Sequence, residues 1–323
     1  MFRKPLFVLL LTVASASALV IPGQNGTGAG NTTQATLNTY VSNNLLPVFP
    51  YWNNVISVTD STGIYLGATG PYGWVMTAAH VTQLTPNVQT ISVGGTNYLV
   101  HENVVPGLQD MRLYRIGGEL GDPVLPALPN VTLDSTTPAA GTSLLSLGRG
   151  ERTEGTLGSA ASSDAQLGSD PLYFEWLGTG GSLRWGTNVS ANLPAWMGAS
   201  GSTAPVSNPP YSTVNFFSIF DDPGVGNYLN ATEAAIAVGD SGGPAFSVDG
   251  GVWKLSGWNL YTWSDPATGQ PNSGTTGFGN VAGYGNVATY RNSILSAMVP
   301  EPSTIACLGS GLALFGMRRN RKR

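Results

Sequence analysis

Short runs of β-branched and aromatic residues, separated by clusters of Gly, Pro, Asn and Asp, recur along most of this 323-residue chain. Residues 55–58, 63–66, 90–93 and 214–219 are typical runs. Many short strands with frequent turns predict an all-β sandwich or barrel. A propeller or solenoid is not expected, because the sequence has no repeat of fixed period. One closing helix is expected at 288–298.

The single cysteine, Cys307, limits how such a fold can be stabilised. It lies in an apolar segment near the C-terminal end. The body can therefore form no internal disulfide and no thiolate metal site. Stability must come from an apolar core, which a body of about 280 residues is large enough to bury.

The first 18 residues have the organisation of a secretory signal peptide. A basic start precedes an apolar run at 5–13, and the small residues 14–18 supply an A-x-A-like cleavage site. The apolar run is shorter than the roughly 20 residues that span a bilayer. Cleavage after Ala16 or Ala18 is expected, with an N-terminal anchor as the alternative.

Two further segments lack a clear strand pattern. Residues 19–50 begin with a stretch rich in Gly, Asn, Thr and Gln and are expected to form a flexible leader. Residues 155–210 are rich in Gly, Ser and Ala and are expected to hold long loops, among them a distinctive loop at 184–188.

The last 25 residues, 299–323, combine three ordered features. Pro300-Glu301-Pro302 is followed by a mostly apolar stretch at 305–317 and then by a basic cluster. A basic cluster after an apolar segment stays on the cytoplasmic side, while about 13 apolar residues are short for a stable span. These features resemble the PEP-CTERM sorting signal of Gram-negative bacteria. The resemblance implies transient inner-membrane anchoring, processing by an exosortase, and a final place on the cell surface or in the extracellular matrix. An ordinary membrane anchor is the alternative.

The charge of the body excludes one class of partner. Seven of the 14 Lys and Arg residues lie in the two end segments, whereas 17 of the 18 acidic residues lie between them. The body therefore carries a net charge of about −10, which argues against nucleic acid as its partner.

The segment Gly239-Asp240-Ser241-Gly242-Gly243-Pro244 places a serine in a glycine-rich turn. Glycine allows backbone conformations in which the N–H groups of Gly239 and Ser241 point at one spot. Two such donors form an oxyanion hole, worth about 3–4 kcal/mol of barrier per donor. Ser241 is therefore a candidate nucleophile for cleavage of an acyl bond.

A histidine and a carboxylate that could activate this serine lie upstream. Thr77-Ala78-Ala79-His80 follows an apolar strand, and imidazole exchanges protons near neutral pH. Asp110 opens the next apolar run and could hold the Nδ1–H of that ring. Asp122 and Asp134 are alternatives to Asp110. His101, the only other histidine, is expected to be an exposed strand residue.

These motifs, in the order His, Asp, Ser, resemble those of the trypsin/chymotrypsin-like serine proteases over roughly residues 55–295. The resemblance implies two antiparallel six-stranded β-barrels, the first at about 51–135 and the second at about 140–298. The active site would lie in the cleft between them.

The resemblance also implies an activity, that of a serine endopeptidase acting on polypeptides without a cofactor or metal. His80 would be the general base and then the general acid, Asp110 would orient it, and Ser241 would be the nucleophile. The alternatives are a non-catalytic barrel-fold protein that binds surface or matrix components, and an esterase with the same groups.

Several positions depart from the family pattern. Ala235 stands where trypsin-like members place an acidic residue at the base of the specificity pocket, so a preference for Arg or Lys is not expected. Leu260 and Thr262 are expected to form a wall of that pocket. The chain has no Ile-Val-Gly-Gly-like start, so Asp240 is expected to have a local partner instead of a freed N-terminus. The sequence does not decide whether Ser256 or another residue binds and supports the Asp110 carboxylate.

Overall fold

The computed structural model describes residue 19 and residues 31–150, 158–159, 172–175, 181–197, 201–221, 232–263, 275–277 and 279–299. The expected signal peptide, the tail beyond Val299 and Cys307 lie outside these ranges.

Six strands form the first sheet: β1 (Val55–Val58), β2 (Ser61–Thr69), β3 (Tyr72–Thr77), β4 (Thr90–Val93), β5 (Thr96–Val104) and β6 (Arg112–Ile116). Their order in the sheet is β1-β2-β3-β6-β5-β4, with every neighbouring pair antiparallel. The edge strands β1 and β4 approach each other, so the sheet is nearly closed.

The second sheet has seven strands: β7 (Ser143–Gly148), β10 (Arg184–Ala191), β11 (Thr203–Asn208), β12 (Tyr211–Ile219), β13 (Pro244–Asp249), β14 (Val252–Trp263) and β16 (Val281–Asn286). Their order is β10-β7-β13-β14-β16-β12-β11, and β10 also pairs with β12. This last pairing, through Ser190↔Ser218 and Ala191↔Phe217, closes six of the strands into a ring. Strand β11 is the seventh and pairs with β12 alone among the described strands.

The prediction of an all-β fold built on two antiparallel sheets is confirmed. A small third sheet contains β8 (Gly158–Ser159), β9 (Leu172–Glu175) and β15 (Thr275–Gly277).

The largest apolar cluster lies between the two sheets. Its buried members include Trp74 and Met76 from β3, Phe246 from β13, and Leu255 and Trp258 from β14. Each fully buried side chain of this size contributes about 1.5–3 kcal/mol relative to exposure. The packing between the sheets therefore fixes how the loops of one face those of the other.

Two α-helices flank the body in the described ranges, α1 (Gln34–Asn43) and α2 (Val287–Met298). Helix α2 is the closing helix predicted from the sequence, and the Asn286 side chain caps its N-terminus. Neither helix is long and apolar enough to cross a membrane.

Helix α1 corrects the expectation of a flexible leader over 19–50. Leu37 and Val41, one helical turn apart, are buried in the large core. The Trp185 indole also donates a hydrogen bond to the Thr36 hydroxyl at 3.1 Å. One narrow apolar stripe is enough to dock this otherwise polar helix.

The expected long loops of 155–210 are also corrected in part. The segment 184–188, expected to be a loop, is the first part of β10, where it pairs with β7 from Arg184↔Gly148 onward. Its residues are buried despite their mixed character. Helix α1 packs on Trp185, and residues 232–234 pack along Gly186, Thr187 and Asn188.

Candidate active site

His80 and Ser241 meet where the two sheets face each other. His80 follows β3 of the first sheet, and Ser241 lies in the turn that precedes β13 of the second. Their side chains are 2.8 Å apart, from imidazole Nε2 to the hydroxyl Oγ. The His80 side chain is 28 % exposed, so this pair is open to solvent at the cleft.

Asp110 binds His80 from the opposite side through both carboxylate oxygens. Oδ2 lies 2.6 Å from Nδ1 of the ring, and Oδ1 accepts the His80 backbone N–H at 2.8 Å. Burial of the Asp110 carboxyl by itself would raise its pKa, but hydrogen bonds and charge from His80, with a hydrogen bond from Tyr261, lower the pKa below its usual value. An ionised, fully buried carboxylate therefore faces the ring.

The backbone of Asp110 is fixed by the second sheet. Its N–H donates to the Thr213 hydroxyl at 2.7 Å, and its carbonyl accepts the Trp258 indole N–H at 2.8 Å. These contacts hold Asp110, which lies just before β6 of the first sheet, against β12 and β14.

The two alternative carboxylates are engaged elsewhere. Asp122 binds His101 Nε2 at 2.8 Å, and Asp134 accepts the Ser256 hydroxyl at 2.8 Å. The expectation that His101 is exposed is wrong, since its side chain is only 8 % exposed beside Asp122. Ser256, one candidate support for Asp110, is therefore committed to Asp134.

Tyr261 is the support that the sequence did not identify. Its hydroxyl donates to Asp110 Oδ2 at 2.6 Å, and its ring stacks on the His80 imidazole with centroids 6.0 Å apart and planes 26° apart. The aromatic side chain on β14 was visible in the sequence. Its direction depends on the local register of the strand, which the sequence pattern does not give.

The turn around Ser241 depends on its glycines. Gly239 has φ +85° and Gly242 has φ +82°, a region that other residues adopt at a cost. An added Cβ on Gly242 would lie 2.2 Å from the Thr77 hydroxyl oxygen. Within the described residues, the backbone N–H groups of Gly239 and Ser241 have no hydrogen-bond acceptor. Both donors remain available to a bound group.

Asp240, between Gly239 and Ser241, points away from the cleft and is fully buried. Its carboxylate accepts N–H bonds from Ala237 at 2.8 Å and from Gly150 at 2.9 Å, and a further backbone bond from Leu19. Burial raises the pKa of Asp240 to about 7, although these donors and the charge of Arg184 oppose the shift. The expected local partner is present in Ala237, and two sequence-distant N–H donors join it.

The three residues expected to form the specificity pocket lie on the second sheet or beside it. Ala235 is 3 % exposed and Leu260 is 6 % exposed, while Thr262 is partly buried and pairs with Ala282 of β16. No described cluster of three His, Cys, Asp or Glu side chains could hold a metal ion.

The arrangement can polarise the Ser241 hydroxyl. An ionised carboxylate only accepts hydrogen bonds, so the neutral His80 ring carries its proton on Nδ1. The lone pair on Nε2 then faces the hydroxyl and can take its proton. The free N–H groups lie in the turn that carries that hydroxyl, where an oxyanion would form.

Comparison with known proteins identifies the tail. Residues 299–322 match the PEP-CTERM protein-sorting motif, which implies export, recognition by an exosortase and surface sorting in Gram-negative bacteria. The resemblance expected from the sequence is confirmed for this segment. A search of curated proteins found no match to the chain.

Solved structures with a similar arrangement include neuropsin, a serine protease expressed in the limbic system of mouse brain. It is 16 % identical, with a TM-score of 0.44 over 78 % of this chain and 97 % of that chain. The inactive form of the Rv3671c protease is 14 % identical, with a TM-score of 0.42 over 83 % of this chain and 97 % of that chain. The chain thus carries a PEP-CTERM sorting motif behind an all-β body whose structural neighbours are serine proteases.

Proposed function

We propose that this chain is a secreted or surface-retained serine endopeptidase. The observation that carries the proposal is the continuous hydrogen-bonded line from Asp110 through His80 to Ser241, with distances of 2.6 Å and 2.8 Å. A binding protein has no physical need for this line together with two free N–H donors beside the serine.

In the proposed reaction, the Ser241 Oγ attacks the carbonyl carbon of a peptide bond while His80 Nε2 takes the hydroxyl proton. The N–H groups of Gly239 and Ser241 bind the oxyanion. His80 then gives its proton to the leaving amine, which departs and leaves an acyl-enzyme. Water attacks the ester, passes a proton to His80, and releases the acid as Ser241 recovers its proton.

The proposed substrate is a polypeptide whose side chain enters a pocket beside Ala235, Leu260 and Thr262. None of these three residues carries a charge, so a neutral side chain is expected to be preferred over Arg or Lys. The proposed place of action is outside the inner membrane, after transient anchoring by the tail at 299–323 and processing by an exosortase. Retention of the tail as an ordinary membrane anchor is the alternative.

Labelling with a fluorophosphonate probe tests the nucleophile. The wild-type chain should be labelled, and Ser241→Ala should not. Ser57→Ala, on the exposed face of β1, is the matched control and should label like the wild type. Labelling of Ser241→Ala at the wild-type level would show that another residue is the nucleophile.

The rival function is a non-catalytic barrel that binds surface or matrix components, and the sorting tail suits it equally well. Hydrolysis of denatured casein separates the two. The wild-type chain should cleave casein and His80→Ala should not, whereas equal background from both would favour the binding protein. Paired ester and amide substrates with the same acyl group would distinguish an esterase, which would cleave the ester alone.

A further inference from the structure

Tyr261 reaches Asp110 because β14 is irregular just before it. The pairing of β14 with β16 shifts register between Asn259 and Tyr261, leaving Leu260 as an extra residue. In a regular strand, residues three apart point to opposite faces of the sheet. The extra residue restores Trp258 and Tyr261 to the same face, and both donate hydrogen bonds to Asp110. A bulge that re-aims a side chain in this way is a common device beside active sites.

The hydroxyl of Tyr261 and the ring of His80 share one oxygen atom. Both lie 2.6 Å from Asp110 Oδ2, one through the phenol and the other through Nδ1. The carboxylate is 0 % exposed, so no solvent competes for that oxygen. Each hydrogen bond takes up part of the negative charge on Oδ2, so the oxygen is a weaker acceptor for the other donor.

The Tyr261 hydroxyl remains a donor in the neutral range. Burial first, and then the hydrogen bond to Asp110 and its charge, raise the pKa of Tyr261 well above its usual value. The Asn208 side chain, at the end of β11, bonds the same hydroxyl. Tyr211 on β12 is a further ionisable group that acts on this hydroxyl, and its charge raises the pKa of Tyr261 in the same direction.

We propose that Tyr261 is a positioning residue of the catalytic line: its hydroxyl holds the Asp110 carboxylate towards His80 Nδ1 and, by sharing Oδ2, sets the basicity of the imidazole. This inference rests on the proposed hydrolase function. Removing the hydroxyl leaves His80 as the only donor to Oδ2 among the residues that the structure describes. The carboxylate then stabilises the imidazolium more strongly.

The test is the pH profile of kcat/KM, whose acid limb reports the pKa of the base in the free enzyme. Tyr261→Phe keeps the ring over His80. It should move this limb to higher pH and lower kcat about tenfold, as expected for loss of a hydrogen bond to a charged group. Tyr98→Phe is the matched control, because it also removes a buried phenol that donates a bond, to the Val124 carbonyl at 2.7 Å. It should leave the limb unchanged.

Replacement of Tyr261 by 3-fluorotyrosine keeps the assay valid even if Tyr261→Phe fails to fold. This residue is nearly isosteric and a stronger donor, so the acid limb should move to lower pH. An active wild-type chain whose limb stays fixed in both variants would overturn the inference. Absence of fluorophosphonate labelling in the wild-type chain would instead overturn the proposed function itself.

Discussion

Thr62 donates hydrogen bonds to two backbone carbonyls of the turn that carries Ser241. Its N–H donates to the Ser241 carbonyl at 3.2 Å, and its hydroxyl donates to the Gly239 carbonyl at 3.0 Å. Its own carbonyl accepts the Thr77 hydroxyl at 2.7 Å, three residues before His80. One residue of β2 therefore ties the turn of the proposed nucleophile to the strand that leads to the proposed base.

Thr62→Val should lower both stability and the rate of fluorophosphonate labelling. Valine keeps the shape but removes the hydroxyl, which leaves the Gly239 carbonyl without its donor and the Arg149 N–H without its acceptor. The expected loss is about 2 kcal/mol in the free energy of unfolding. Urea unfolding and labelling kinetics check this. Thr90→Val, on the exposed face of β4, serves as control, and equal values for both variants would contradict the role given to Thr62.

Gly242→Ala should abolish labelling. The new Cβ would lie 2.2 Å from the Thr77 hydroxyl oxygen and 2.5 Å from the Thr62 carbonyl oxygen, at a φ of +82°. Gly250→Ala is the control, since Gly250 also has a positive φ, +59°, but nothing lies within 4 Å of its added Cβ. In that control the free energy of unfolding should fall only by the cost of a left-handed backbone at alanine, about 1–2 kcal/mol. Normal labelling of Gly242→Ala would show that the turn tolerates a side chain.

In a chain in which Ala18 precedes Leu19, so that the Leu19 N–H is an ordinary amide, the free energy of unfolding should fall as the pH rises from about 4 to 7. Burial raises the pKa of Asp240 from 3.8 to about 7, so in this window the folded chain holds a proton that the unfolded chain has released. The stabilisation from this proton is complete below the pKa that Asp240 has in the unfolded chain and is lost above the pKa that it has in the folded chain. It amounts to at most about 4 kcal/mol. The charge of Arg184 and the buried Tyr284 also act on this carboxyl.

Urea unfolding between pH 4.5 and 7.5 measures this dependence. Asp240→Asn should remove the slope, while Asp249→Asn, at an exposed carboxylate, should retain it. Asp110 works in the opposite direction, because its lowered pKa means that its contribution is lost only as the pH falls below about 4. A flat wild-type profile between pH 4.5 and 7.5 would contradict the prediction for Asp240.

A chain that begins at Leu19 should lose the slope assigned to Asp240. Leu19 is 1 % exposed, and its backbone N–H bonds the Asp240 carboxylate. With Leu19 first, that N–H belongs to an α-ammonium group with an ordinary pKa of about 8, which favours the ionised carboxylate and lowers its pKa. A chain that begins at Ala18 keeps an amide at this position and is the control. Identical pH profiles from the two chains would exclude the contact.

The residues that the short sequence motifs single out lie together in the structure. Thr77–His80 and Gly239–Pro244 each combine a local turn with a reactive side chain, so the roles proposed for them rest on neighbours in the chain. Asp110 opens an apolar run in the sequence, and of the three candidate aspartates it is the one that lies beside His80. The all-β fold followed from the alternation of strand and turn residues.

Features that depend on distant partners were not predictable in this way. Helix α1 has a mostly polar sequence, and only its docking on the core and Trp185 shows why it forms. His101 is a strand residue by pattern, and Asp122 covers it from a separate loop. Tyr261 reaches Asp110 through a register shift that alternation of residues does not reveal.

The extra residue in β14 also makes the site sensitive to strand register. A one-residue slip that drew Leu260 into an uninterrupted ladder with β16 would remove the shift between Asn259 and Tyr261. The tyrosine would then alternate to the opposite face of the sheet, away from the acid it contacts. Such a chain would keep its architecture while its chemistry lost a partner, so the register of one strand matters here as much as the identity of its residues.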